Sequence, residues 1–405
     1  MLKDIPTLND YDFKGKTALL RIDVNTPMDP KTGEPLDDRR FRSHKDTIDE
    51  LVKKKAKIVI LAHQGRPGDP DFTPLEKHAT KLSEITGYKV KYVDSIFSSY
   101  ALAEIKRMKE GEIILLENVR FYSEENMDRP ADAQATTILV QKLKSVADVY
   151  VSDAFSTAHR SQPSLVGFPV VMPSVAGRLM EKEIRTIDDI LKKPKKPVAF
   201  ILGGTKADDS FKAIEKALEN GIDYILTGGL VANIFLAAKN YRIGDPNIEF
   251  IRGKKMIEQI DVAKALLVKY ESRIILPVDL AVDADGKRTE ILVSSLPTRF
   301  PIKDIGSQTI EKYKEIVKKA GTIYAKGALG LFEDKKFAIG TIEVMKEVGN
   351  SKAYAIVGGG HLVAAAKELN LEDKITHISS GGGASISLLA GYKLPAVEIL
   401  RKKKI

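Results

Sequence analysis

Short apolar runs alternate along this chain with longer stretches in which apolar residues recur at helical spacing. In the first half TALLRIDVN, KIVILAHQ, KVKYVDS, EIILLENV and DVYVSDAF predict strands, separated by helical patterns such as DTIDELVKKK and AEIKRMKE. The second half repeats the scheme with PVAFILGG, YILTGG, RIILPVDLAVD, TIYAKG, KAYAIVGG and ITHISSG. That rhythm predicts an α/β protein whose parallel sheets are covered by helices on both faces, a Rossmann-like arrangement.

The rhythm breaks at GFPVVMP, and AGRLMEKEIRTIDDILKK (176–193) then resumes with one long helical period. KPKKP stops it, because proline at both ends of a lysine pair cannot continue a helix. The expected organisation is therefore an N-terminal domain over 1–175, an interdomain helix with its hinge over 176–193, and a C-terminal domain over 194–385. A final segment over 386–405 is expected to return to the first domain. A chain of 405 residues exceeds what one core supports, and two domains of roughly 200 residues are the prior.

The ends of the predicted strands differ between the halves. The first-half segments run into Arg and His, as in RIDVN (21–25), AHQGRP (62–67), LENVRF (116–121) and SDAFSTAHR (152–160). Those of the second half run into glycines: ILGGTK (201–206), ILTGG (225–229), IVGGG (356–360) and ISSGGG (378–383). Ligands of open α/β sheets sit outside the carboxyl ends of strands, so these segments together mark a functional face. Guanidinium forks suit a small, highly charged anion, whereas glycines let a nucleotide approach the amides of a following helix. Two ligands, one per half, imply transfer between them.

Composition narrows the class. With 43% hydrophobic and 29% charged residues, no apolar stretch long enough to span a bilayer and no signal-peptide core at MLKDIPTLND, a cytoplasmic protein without a membrane partner is expected. Zero cysteines exclude disulfides, thiolate metal sites and a Cys nucleophile. The net charge of +9 fits anionic ligands, but its lysines are scattered along helical stretches such as KKKAK (53–57), where a solvated face explains them better than nucleic-acid binding.

Common nucleotide and metal motifs are absent. GGTKADDS has the wrong spacing for a GxxxxGK[ST] loop, and GGGHLV puts Val363 where a dinucleotide fingerprint needs its third glycine. The six histidines show no HExxH or other ligand spacing, so no metal site built from side chains is expected. His44 and His78 fall on predicted helix surfaces and are read as solvated.

The motifs RIDVNTP, RFRSHKDTI, AHQGRP, LENVRF, SDAFSTAHR, AGRLMEKE, LGGTK, GLFEDKKFAIGT and HISSGGGAS stand in the order, and at about the spacing, found in phosphoglycerate kinases. The chain resembles that family along essentially its whole length. The resemblance implies a glycolytic kinase that binds 3-phosphoglycerate in its N-terminal domain and Mg²⁺-ATP or Mg²⁺-ADP in its C-terminal domain. It would transfer the phosphoryl group reversibly to the carboxylate, giving 1,3-bisphosphoglycerate and ADP, with domain closure bringing the ligands together.

On the substrate side the resemblance assigns Asp23 and Asn25, with a basic lining of Arg40, His63, Arg66, Arg120 and Arg160. Arg40 is chosen over Arg39 because RFRSHKDTI matches the family register from Arg40. On the nucleotide side it assigns Lys206 to the phosphates, Glu333 to the ribose hydroxyls and the glycines at 203, 204, 228 and 229 to the base-binding wall. Gly358, Gly359, Gly360, Lys326 and His361 complete that lining. Gly381, Gly382 and Gly383 open a helix that can receive the moving phosphoryl group, which puts Arg40, Lys206, Gly382 and Gly383 nearest the chemistry.

These residue types suit the reaction on physical grounds as well. A phosphoglycerate carboxylate ionises with a pKa of about 3 to 4, so no general base is needed at neutral pH. What remains is to align two mutually repelling anions and spread the charge of a loose transition state, which arginines and lysines do.

Three positions depart from the commonest family pattern. Ser210 stands where a second lysine usually follows the first. His361 replaces an aspartate that serves the nucleotide-bound Mg²⁺; since Mg²⁺ prefers oxygen ligands, either phosphates and water hold the metal or His361 contacts a phosphate. AKGALG replaces an NGP-containing run and puts Lys326 and Ala328 at lining positions. Two other readings stay open: a kinase for another carboxylate such as an amino acid, which would want acidic partners for the ammonium, and a nucleotide sensor without activity. Lys212 would take over the missing lysine's role if the helix start is shifted. Lys212→Ala then lowers turnover in an assay of acyl phosphate formation, and near-normal turnover removes Lys212 from the mechanism.

Overall fold

The computed structural model describes residues 4–205 and 208–401. The chain divides into two units, residues up to 188 together with those from 393, and residues 189–392. The division falls within the helix Arg178–Lys192, and the helix Pro395–Arg401 belongs to the first unit, where the Ala396 amide donates to the Ala158 carbonyl at 3.2 Å.

In the first unit, β1 (Thr17–Arg21), β2 (Lys57–Leu61), β3 (Val90–Val93), β4 (Ile113–Leu116), β5 (Val149–Ser152) and β6 (Ser174–Ala176) form one parallel sheet in the order β3-β4-β2-β1-β5-β6. Side-chain alternation divides its core between the two faces. Ala18, Leu20, Ile58, Ile60, Val149 and Val151 pack on one side, while Leu19, Val59, Leu61, Ile114, Leu116 and Tyr150 pack on the other. Strands buried on both faces read as continuous apolar runs, which explains why TALLR, KIVIL and IILL were legible.

The second unit repeats the plan with β7 (Val198–Leu202), β8 (Tyr224–Thr227), β9 (Ile274–Ile275), β13 (Thr322–Lys326), β14 (Tyr354–Gly358) and β15 (His377–Ser379), in the order β15-β14-β13-β7-β8-β9. It adds what the sequence pattern did not predict, an antiparallel sheet of β10 (Asp279–Ala284), β11 (Lys287–Leu292) and β12 (Ile302–Ile305) in the order β11-β10-β12. RIILPVDLAVD, expected as one strand, is therefore split between two sheets. Pro277 lies between the two pieces, where its missing N–H cannot serve a ladder. The edge strand β11, KRTEIL, is polar and mostly exposed, and carries no strand-like apolar run.

In each parallel sheet the connections turn in opposite directions from one central pair, β1 and β5 in the first unit, β7 and β13 in the second. Such switch points open a crevice at the carboxyl ends. Each of the Arg/His and Gly segments singled out above begins at, just before or directly after the carboxyl end of one of these parallel strands. Among the described residues no helix is long and apolar enough to cross a membrane.

Asp279, buried at the start of β10, ties the small sheet to the helix Ser307–Lys319. Its carboxylate accepts from the amides of Gln308 at 2.9 Å and Thr309 at 2.7 Å, and from the Thr309 hydroxyl at 2.6 Å. The carboxylate leaves no room for a side chain at 306, where a Cβ would lie 2.3 Å from it. Asp279→Ala removes this cap and strands buried donors, so denaturant titration of the variant is expected to show a loss of about 2 kcal/mol in unfolding free energy.

Candidate active site

Four strand ends in the first unit converge on one polar cluster. Beyond β1, Asp23 is 2% exposed; its Oδ2 accepts from the Arg40 guanidinium and the Ser156 hydroxyl, and its Oδ1 accepts from the Asn25 amide at 3.0 Å. Burial by itself would raise this carboxyl, but Arg40 and the hydrogen bonds outweigh it and hold the group well below the usual carboxylate range. Arg39 forks instead onto the half-exposed Asp37, so the residue that reaches the buried acid is Arg40. Ser156, from the loop after β5, bridges the β1/β5 switch point; the sequence carried no mark that singled it out.

Asn25 accepts the Gly65 amide at 2.9 Å, joining the loops after β1 and β2. Gly65 has φ +64°, and a Cβ there would fall 2.6 Å from the Phe72 backbone, so this tight turn requires glycine. Its carbonyl accepts from Arg120, which is 5% exposed and pinned at its own amide by the Asn118 side chain at 3.1 Å. The Arg120 guanidinium is pushed down to about 10 by burial and by three neighbouring guanidiniums, those of Arg160, Arg21 and Arg66. It stays charged at neutral pH, among like charges.

His63 is 3% exposed, and its pKa is held well below the ordinary 6.5 by burial, with Arg21, Arg120 and Arg160 adding to the effect and only Asp23 opposing it. The expectation of His63 as part of a basic lining is corrected here: it is a neutral hydrogen-bonding group. Arg66 is exposed and Arg160 half-buried. Arg21, inside the quoted RIDVN motif but given no role there, is fully buried in the same cluster. The signal for it was a cation closing an otherwise apolar strand.

His44 and His78, expected on helix surfaces, are buried at 1% and 0% exposure. Both lie on the inner face of a helix segment, where a polar ring is tolerated because it is hydrogen-bonded. His44 Nε2 accepts the Asp23 amide at 3.1 Å, and Nδ1 lies 2.7 Å from Asp153 Oδ2. The other oxygen of Asp153 receives the Leu179 and Met180 amides at 3.0 and 3.2 Å, at the start of the helix Arg178–Lys192. His78 Nε2 sits 3.1 Å from Gln64 Oε1, bracing the loop after β2.

In the second unit the glycines are explained first by each other. The amides of Gly203, Gly204, Gly228 and Gly229 donate to the carbonyls of Lys326, Ala328, Leu202 and Leu329 at 2.7–3.0 Å. A Cβ at Gly203 would lie 2.2 Å from the Ala328 carbonyl oxygen, and one at Gly228 2.4 Å from the Leu329 side chain. These glycines let the loops after β7, β8 and β13 touch at the switch point, and their N–H groups are already engaged.

Gly358 closes β14, and Gly359, with φ +89°, leads into the helix Gly360–Glu368, whose first amides lack intrahelical partners. A Cβ at Gly360 would meet nothing within 4 Å, so space is open there. Lys326, half-buried, ends the neighbouring β13 in register with Gly358. Gly382 and Gly383 start the short helix Gly383–Leu389, and the Gly381 amide donates to Ser379 Oγ at 3.1 Å. Glu333 and His361, given separate roles above, are neighbours: Nε2 lies 3.0 Å from Oε1, and the ring stacks against Phe332 at 5.8 Å between centroids. Ser210 is 1% exposed and turned into the packed interior, so its hydroxyl is no substitute for a lysine. Lys206 lies outside the described residues.

The geometry therefore sets a strongly cationic pocket at one sheet and a glycine-walled, cation-edged one at the other. A sequence model of the family Phosphoglycerate kinase matches residues 8–392. The chain belongs to the phosphoglycerate kinase family. It is 49% identical over 400 residues to the phosphoglycerate kinase of Methanobacterium bryantii, covering 98% of each chain. Identity to that of Methanothermobacter thermautotrophicus is 50% over 399 residues, covering 98% of this chain and 97% of the relative. The solved phosphoglycerate kinase of Pyrococcus horikoshii OT3 superposes with a TM-score of 0.91 at 43% identity, covering 98% of each chain. Phosphoglycerate kinase activity, the ATP-dependent phosphorylation of a carboxylate in glycolysis, is accordingly the function of this chain. The amino-acid kinase and the inactive sensor are set aside.

Burial holds the His78 pKa down to about 4. Between pH 6.5 and 4 the unfolded chain takes up a proton that the folded phosphoglycerate kinase refuses, so stability is full above pH 6.5 and falls as the pH drops to 4. The difference amounts to about 3 kcal/mol at most. His78→Gln, which keeps a donor for Gln64, is expected to flatten the unfolding free energy over that window relative to the parent chain, measured by urea titration at stepped pH.

Proposed function

We propose that the arginine-rich end of the first sheet binds 3-phosphoglycerate or 1,3-bisphosphoglycerate, and that the glycine-rich end of the second sheet binds ATP or ADP with its Mg²⁺. The observation that carries the first assignment is the crowding of Arg21, Arg66 and Arg160 around Arg120. Of the nearby acids, Asp23 is taken up by Arg40 and Ser156, and Glu125 by Ser164. A polyanion would relieve the repulsion that the fold otherwise bears.

Arg40 uses one nitrogen on Asp23, leaving the rest of its guanidinium for a ligand. In this reading Asp23 aims Arg40 at the attacking carboxylate, while Asn25, His63, Arg66, Arg120 and Arg160 hold the remainder of the substrate. The carboxylate is already ionised, so catalysis consists of alignment and charge dispersal. Among the described residues no three His, Asp or Glu side chains gather in a group that could hold a metal, and Mg²⁺ would arrive on the nucleotide's phosphates. When bound it neutralises phosphate charge during transfer. Lys206, Lys326, Gly358–Gly360 and Gly382–Gly383 are the phosphate-side candidates; Glu333, with His361 beside it, is the ribose-side candidate. A glycolytic kinase of this kind works in the cytoplasm.

The assignment is tested by Arg40→Ala in a coupled assay of acyl phosphate formation from 3-phosphoglycerate and ATP. Turnover is expected to drop about 100-fold or more, as for loss of one preorganised charge-stabilising donor, with nucleotide affinity by calorimetry nearly intact. Surviving turnover, or a matching loss of nucleotide binding, would count against it.

A further inference from the structure

We propose that Arg21 is a positioning residue for phosphoryl transfer, fixing His63 in the one neutral tautomer that offers an Nε2–H donor to the 3-carbon substrate. The inference rests on the reading of His63 as a substrate-binding residue and says how that residue is prepared.

Arg21 Nη2 lies 3.3 Å from His63 Nδ1. A guanidinium has donors and no acceptor, so Nδ1 must supply a lone pair, and the ring proton of a neutral His63 sits on Nε2. Asp23 is the one group that could have drawn the proton to Nδ1 instead, but its Oδ1 is 3.8 Å away, beyond hydrogen-bond reach. Among the described residues Nε2 has no hydrogen-bond partner, and the ring is 3% exposed. His63 Nε2 is not one of the fully buried atoms without a partner, so it stands open at the site, where a ligand oxygen can accept its N–H.

Arg21 itself has little freedom. It is 1% exposed, its Nε donates to Ser164 Oγ at 2.8 Å, and its Nη1 donates to the Ile22 carbonyl. Glu125, 4.0 Å from the guanidinium, balances the buried charge and is held by the Ser164 amide at 3.0 Å and hydroxyl at 2.5 Å. Tyr150 then fixes Ser164 by donating to its carbonyl at 2.8 Å. The chain of contacts runs from the packed sheet to one ring nitrogen. The opposite tautomer would point a lone pair at an anion; a protonated ring would add a further cation beside Arg21, Arg120 and Arg160. The neutral Nε2–H form avoids both.

The test is a long-range ¹H–¹⁵N correlation spectrum of the full-length protein labelled at histidine, with the His63 signals assigned through His63→Gln. The expected pattern at neutral pH is an unprotonated Nδ1 and a protonated Nε2, with Nε2 shifting on addition of 3-phosphoglycerate. A proton on Nδ1 overturns the proposal. The stated tautomer with no response to 3-phosphoglycerate overturns the substrate role of His63 instead, and the purpose of the lock with it. Arg21→Gln, whose amide can donate or accept, is expected to give a mixture of tautomers and to raise KM for 3-phosphoglycerate about tenfold, with kcat changed much less. Arg21→Lys, a donor only, is expected to keep Nδ1 unprotonated and restore most of the KM. An unchanged tautomer and KM in a folded Arg21→Gln variant would falsify the lock, and the spectrum of the parent chain decides the tautomer even if that variant does not fold.

Discussion

Like-charge repulsion among Arg21, Arg66, Arg120 and Arg160 is the constraint around which the first unit is built. Guanidiniums left to themselves would rotate into water, and acids placed among them would neutralise the pocket. Arg66 does lie exposed, but Arg21 and Arg120 stay inside, and the acid beside Arg21, Glu125, stands 4.0 Å off. Arg21 and Arg120 are buried and held by carbonyls, hydroxyls and one remote carboxylate, so that their charge persists while their motion does not. On the function proposed above, a phosphorylated acid entering such a site would supply the missing counter-charge at a point already fixed, the arrangement that makes electrostatic stabilisation effective. His63, kept neutral in the same cluster, adds direction without adding repulsion.

Rigid support for that cluster comes from backbone and buried polar side chains acting together. Asp23 holds Arg40 and Ser156 with its carboxylate, and its amide is held by His44. His44 leads to Asp153, whose second oxygen caps the helix Arg178–Lys192. Gly177 is a glycine because the Asp153 carboxylate occupies the place of its side chain, 2.2 Å from where a Cβ would stand. A single hydrogen-bonded line therefore joins the loop after β1 to the start of the helix Arg178–Lys192. The links from the Asp23 amide through His44 to Asp153 are buried, where a lost partner costs most.

The second unit solves a different problem, that of presenting a flat, backbone-lined surface. Glycines at 203, 204, 228 and 327 let three loops pack against each other, with the amides of the first three donating to carbonyls of those loops and strand ends. Openness is left at Gly360 and Gly382, where a Cβ would meet nothing within 4 Å, and at Gly358 and Gly359, where it would make only ordinary contacts of 3.6 Å or more. The departures from the family pattern fit this division: Ser210 has withdrawn into the core, whereas His361 has joined Glu333 and Phe332 at the exposed rim.

Sequence alone determined the two α/β halves, where their strands end and the residue types gathered at each end. Apolar runs follow from burial on both sheet faces, and strand-to-helix turns must carry the ligand groups; both are local consequences of the chain's own pattern. The polar β11 and the split at Pro277 escaped because an exposed edge strand has no apolar signature. Which of Arg39 and Arg40 meets Asp23, that His44 and His78 are buried, and that His361 lies on Glu333 were decided by tertiary structure alone. These depend on helix rotation and on partners distant in sequence, from 14 residues between His78 and Gln64 to 109 between His44 and Asp153. Spacing along a chain cannot show which side chains share a buried pocket, and it is that sharing which sets charge, tautomer and reach.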